Sequence, residues 1–143
     1  MKDMYNNLKI VPVLAPQSKG ADGALTHDTA VDRNGWDSCV FVMHTGACDA
    51  TNYATLTLTE SDTASNFTAV ADGDLIGLEA DTKSDNANYE CAKLGYIGNK
   101  RYVKATVTVE FTDAAVLVSA LAILGSPRLA PRDTQIEEQQ PNA

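Results

Sequence analysis

The chain has 143 residues, 44% of them hydrophobic and 21% charged, with 19 acids against 11 bases and a formal net charge of −8. That length fits one compact domain. The acidic balance argues against nucleic acid as a direct partner, because duplex binding draws its affinity from Lys and Arg that neutralise phosphates. A membrane span is also excluded: bilayers need roughly 18 to 20 apolar residues in a row, and the longest apolar run, Ala114 to Leu124, is shorter and carries Ser119.

The opening MKDMYNNLKIVPVLAPQSKG mixes charge and Asn before any apolar run, unlike a secretory signal. Folding in the cytoplasm is therefore expected. Residues 1–29 read as an N-terminal arm, with a short strand at Leu8 to Val13 followed by the loop composition of Gln17 to Gly23. Ser38 to His44, SCVFVMH, is short, apolar and closed by Thr45-Gly46, as a buried core strand should be. In Tyr53 to Glu60, Ala54, Leu56 and Leu58 alternate with Tyr53, Thr55, Thr57 and Thr59, which places the aliphatic set on one face. Shorter strands are expected at Phe67 to Val70, Leu75 to Leu78 and Tyr89 to Leu94. The clearest strand is Tyr102 to Phe111, where Val103, Ala105, Val107, Val109 and Phe111 alternate with polar residues or Tyr102.

Ala114 to Leu124 is ambiguous, since Ala and Leu favour helix while such a run also suits a strand buried on both faces. A hairpin with Tyr102 to Phe111 through Thr112-Asp113 favours the strand, and Gly125 and Pro127 end it. Residues 126–143, with three prolines, read as an extended C-terminal tail. The expected fold is all-β, a jelly roll or β-sandwich over residues 30–125 flanked by two arms of the kind that serve assembly.

Chemistry is sparse. Cys39, Cys48 and Cys91 form no CxxC pair and no zinc-type spacing, and Cys39 and Cys91 read as small packed hydrophobes. Cys39 and His44 are five positions apart, an odd offset, so a strand points them to opposite faces and defeats a Cys-His pair. His27-Asp28 lacks any nucleophile context. Neither Asp22, Asp28 and Asp32 nor Asp72 with Asp74 follows a calcium-loop pattern, and no phosphate loop or dinucleotide fingerprint occurs. No cofactor, metal or enzymatic activity is expected. Trp36 and the tyrosines fit core or interface positions better than a carbohydrate site. From Asp49 to Glu90 nine acids stand against Lys83 alone, whereas Lys93, Lys100, Arg101 and Lys104 follow as a basic cluster. The acids read as a solvated rim or as a face for a basic partner.

The words YIGNKRYV at Tyr96 to Val103, with Ala122 to Arg128, Ala130-Pro131, Asp32, Gly35, Trp36 and Glu60-Ser61-Asp62 before Phe67, resemble a family of small proteins encoded near the major capsid protein in tailed-bacteriophage and prophage genomes. The resemblance covers roughly residues 30 to 131 and implies a virion structural protein. Within that class it points to a capsid decoration, or cement, protein assembled in the host cytoplasm and placed on the capsid surface. Its implied partner is the major capsid protein, with a homo-oligomer, dimer or trimer, as the assembling unit. Lys100, Arg101, Tyr102, Trp36, Arg128 and Arg132 are the candidate interface residues. Competing readings are a head-tail connector or tail component, a glycan-binding jelly roll using Trp36 and tyrosines, and a small hydrolase using His27 or His44.

Overall fold

The computed structural model describes residues 3–26, 30–88 and 90–128. Among the described residues ten strands run in chain order: β1 (Leu8–Lys19), β2 (Gly23–Thr26), β3 (Val31–Asp32), β4 (Trp36–Thr45), β5 (Tyr53–Ser61), β6 (Thr68–Ala69), β7 (Leu75–Ile76), β8 (Glu90–Tyr96), β9 (Tyr102–Glu110) and β10 (Val116–Pro127). Sheet A has the order β1-β10-β4-β8-β7 and sheet B the order β2-β9-β5-β6, with β3 also paired to β9. All pairings are antiparallel. β1 pairs with β10, β2 with β9, β4 with β8 and β5 with β6. This nesting of outer with outer and inner with inner is a long hairpin rolled into two sheets, the jelly roll.

Period-two alternation builds the core. Phe41 and Met43 of β4, Leu94 and Tyr96 of β8 and Val116 to Leu124 at every second position of β10 face Ala54, Leu56 and Leu58 of β5 and Val103 to Val109 at every second position of β9. The free edge of β5 is covered by residues 79–84. Glu79 Oε1 accepts Leu58 N–H at 2.8 Å, Thr82 Oγ1 accepts Leu56 N–H at 2.8 Å, and Ser84 forms a bridge to Ala54. Such covering keeps the edge from templating unwanted strands.

Four expectations are corrected. Residues 8–19 and 23–26, expected within a free arm, are β1 and β2 of the sandwich. β10 needs a second hydrogen-bonding neighbour, and β1 supplies it through two register shifts around its prolines, with Val13 buried. The expected hairpin between Tyr102 to Phe111 and Ala114 to Leu124 is instead a crossover: β9 lies in sheet B and β10 in sheet A. Buried Asn52 fixes that crossover by accepting the N–H groups of Thr112, Asp113 and Ala114 on Oδ1. Cys91 is exposed, because on β8 it has the parity of Lys93 and Gly95 and faces away from the core, whereas Cys39 and Cys48 are buried. Ser126 and Pro127 continue β10, and residues 129–143 of the expected tail lie outside the described residues.

Candidate functional site

Short words from distant parts of the sequence meet at one end of the sandwich. The loop joining β8 to β9, residues 97–101, lies against the turn joining β3 to β4, residues 33–35, and against Arg128 at the end of β10. Gly35 adopts φ 87°, a conformation that favours glycine, and lets Trp36 N–H reach Arg33 O at 2.9 Å. Gly35 O then accepts Arg128 N–H at 2.9 Å, which seats the end of β10 on the turn.

Arg33 organises the facing loop. Its guanidinium lies 4.6 Å over the Tyr96 ring, and Nη1 donates to Gly98 O at 3.1 Å and Lys100 O at 2.7 Å. Tyr96 Oη in turn accepts Lys100 N–H at 3.0 Å and donates to Glu60 Oε2 at 2.5 Å. Burial first, and the Glu60 bond second, push the Tyr96 hydroxyl pKa up, so it stays a donor. Gly98 is required by closeness: a Cβ there would lie 2.5 Å from Tyr96 Oη.

Between these segments lies a cleft of about 340 Å³ lined by Arg33, Trp36, Asp37, Ile97, Lys100, Arg101 and Arg128 among others. Three of its cations hold carboxylates of the same chain. Arg101 grips Asp32 bidentately at 2.9 and 2.8 Å, Lys100 Nζ meets Asp62 at 2.6 Å, and Arg128 Nε meets Asp37 at 2.8 Å. The Arg101 hydrogen bond holds the Asp32 carboxyl below the usual carboxylate range, while Asp62 raises the Lys100 ammonium.

Four of the six sequence-predicted site residues, Trp36, Lys100, Arg101 and Arg128, thus share one cleft. Trp36 is only 3% exposed and forms part of the cleft's base, so it presents no ring for sugar stacking. Tyr102 lies outside the lining, half-buried on β9 with Arg101 5.0 Å over its ring. Arg132 is outside the described residues. The basic cluster does not stay together, since alternation sends Lys93 to the outer face of sheet A and Lys104 to that of sheet B.

Sequence reasoning missed the second surface feature, a contrast between the two outer faces. On sheet B the outward row pairs are Thr55 with Thr108 and Thr57 with Thr106, and Thr26 stands beside Thr106. On sheet A, Ile10, Ile123, Val40, Gly95 and Ile76 stand in register across all five strands, with Pro12, Leu121, Val42 and Lys93 in the next row and Ser119, His44 and Cys91 in the third. That first row crosses about 19 Å at ordinary strand spacing. Ile10 is 53% exposed, Leu117 57% and Ile76 62%. The signal lay in Ala114 to Leu124, whose outward residues Leu117, Leu121 and Ile123 are as apolar as its inward ones.

No protein-family model and no curated protein sequence matches the chain. Its fold is similar to a structure of infectious bursal disease virus, Gx strain, with a TM-score of 0.53 and 7% identity over 88% of this chain and 33% of that one. Also similar is a family two carbohydrate esterase from Cellvibrio japonicus, with a TM-score of 0.45 and 12% identity over 89% of this chain and 33% of that one. TmCBM61, solved in complex with β-1,4-galactotriose, gives a TM-score of 0.45 and 10% identity over 85% of this chain and 90% of that one. The chain spans about a third of the length of the first two. Likeness at such identities concerns the fold, and function has to be argued from surfaces.

Proposed function

We propose that this chain is a bacteriophage capsid decoration protein that docks on the major capsid protein and stabilises contacts between capsomers. The observation that carries this reading is the unlike character of the outer faces: threonines on sheet B, and a register of Ile, Val, Leu and Pro on sheet A. A contiguous exposed apolar face on a folded domain marks an interaction surface, and its burial against a partner contributes about 25 cal/mol per Å² of apolar area. Fold likeness to the infectious bursal disease virus chain and the resemblance of Tyr96 to Val103 and its companion motifs support a virion role.

In this reading sheet A faces the shell and the threonine face of sheet B meets water. The net charge of −8 keeps the free subunit soluble before docking. Many copies, each held modestly, then clamp neighbouring capsomers through symmetry, and a dimer or trimer of the chain adds to that avidity. The role requires no catalysis and no cofactor.

Co-sedimentation of the purified chain with capsids that lack it tests the reading. Wild-type chain should pellet with capsids and raise the temperature at which they open. The Ile10→Glu, Leu117→Glu double variant should fold yet stay in the supernatant. Equal binding by that variant, or no binding by the wild type, would contradict the proposal.

A further inference from the structure

The end cleft is chemically unlike the apolar face, and it makes sense without reference to a capsid. Four of the nine lysines and arginines among the described residues, Arg33, Lys100, Arg101 and Arg128, line it, in a chain whose net charge is −8. Each of the three outer cations already displays carboxylate-binding geometry, because Asp32, Asp62 and Asp37 occupy it. Arg33 differs from them. Among the described residues no carboxylate forms a salt bridge with it, and its buried Nε has no hydrogen-bond acceptor. Glu60, the acid beyond Tyr96, is engaged by the Tyr96 hydroxyl. Counting Glu60, whose charge a neutral phenol does not cancel, four carboxylates stand near the four cations, and Arg33 is the one of the four that no described carboxylate grips directly.

The pairs of Lys100 and Arg128 are exchangeable. Side-chain exposures of 43% and 63% for Lys100 and Asp62, and 64% and 60% for Arg128 and Asp37, place both in the class of surface ion pairs. Such pairs contribute little individually. An incoming carboxylate can take Lys100 and Arg128 while Asp62 and Asp37 swing into water. Arg101 is held in two bonds by Asp32 and stays as the fixed wall. Ile97, exposed at the rim, offers an apolar contact beside the charge. We propose that this cleft is a carboxylate-binding site in which Asp37 and Asp62 act as resident competitors, and that Lys100 and Arg128 hold the incoming group above the Arg33 charge.

The test is titration of the full-length chain, followed by amide NMR at low salt, with citrate as a free carboxylate and hexaglutamate as an acidic peptide. Shifts should cluster at residues 33–37, 97–101 and 128. The Asp37→Asn, Asp62→Asn double variant should bind about 3- to 30-fold more tightly, as expected when two weak surface pairs no longer compete. Lys100→Gln with Arg128→Gln should lose at least about tenfold in affinity while keeping the wild-type thermal midpoint. Citrate binding without hexaglutamate assigns the site to a small acid, and the reverse assigns it to a peptide; either outcome supports it. Shifts scattered over the surface, an unchanged affinity in the Asp-to-Asn variant, or equal shifts with sodium sulfate at matched ionic strength would overturn it. None of these outcomes depends on capsid binding.

Discussion

Tyr96 and Glu60 join the two sheets of the sandwich: the phenol on β8 of sheet A donates to the carboxylate on β5 of sheet B at 2.5 Å. The same hydroxyl accepts Lys100 N–H, so one buried phenol couples sheet packing to the position of the cleft loop. Tyr96→Phe should therefore cost about 1.5 to 3 kcal/mol, the range for a hydrogen bond to a charged group. Urea unfolding should show a lower midpoint at an unchanged slope. Gly98→Ala should also destabilise, because its Cβ would collide with the Tyr96 ring.

Asn52 performs the corresponding task at the crossover. Its Oδ1 accepts three consecutive backbone N–H groups, and its Nδ2 donates to Asp113 Oδ1 at 2.8 Å. Asn52→Ala leaves those groups without partners and should cost at least about 2 kcal/mol. Asn52→Asp keeps the acceptor but sets a new carboxylate against Asp49 and Asp113, and should be at least as damaging. Thermal unfolding of both variants checks the pair.

Asp49 gives the fold an acid limit. Hydrogen bonds from the Thr51 side chain and backbone, then from Asn52, lower its pKa to about 2. A carboxylate lowered in this way stabilises the fold fully above its unfolded pKa of about 3.9. That contribution is lost as pH falls through the folded value near 2. Wild type should lose midpoint temperature between pH 4 and pH 2, and Asp49→Asn should start lower at pH 7 and fall less steeply across that window.

The cysteines divide by face. Burial raises the Cys39 thiol pKa to about 12, and Cys48 is buried with its thiol also raised, whereas Cys91 is exposed on sheet A. The thiolate is the reactive form. Native chain treated with iodoacetamide at pH 8 should carry one label, on Cys91, by mass spectrometry, and unfolded chain should carry three.

Alternation made much of the fold legible. Tyr102 to Phe111 and Tyr53 to Glu60 follow period two, and they are β9 and β5 with little change of boundary. The jelly roll followed from many short strands, but its nesting did not, because pairing partners lie as far apart as Leu8 and Gly125. β1 was legible only in part: Pro12 and Pro16 break its alternation, and its pairing tolerates them through register shifts. The hairpin expected after Phe111 failed because turn residues reveal a reversal of direction but not a change of sheet. Asn52, whose side chain settles that choice, lies 60 residues from Thr112. At the cleft, the words that carried the family resemblance proved to be physical partners: Asp32 with Arg101, Glu60 with Tyr96 and Asp62 with Lys100. Trp36, read as a core or interface residue, is 3% exposed, a choice left open in the sequence because an aromatic at a strand start reads alike whether its ring turns inward or outward.

The apolar face of sheet A is the centre of the proposed decoration role, and cryo-EM of any virus particles produced from the source genome tests that proposal most directly. The account predicts hundreds of copies on the outer shell, with Ile10, Leu117 and Ile123 turned toward the major capsid protein and the threonines of β5 and β9 toward solvent. About a dozen copies at a single vertex, absence from the particle, or attachment through the threonine face would contradict it.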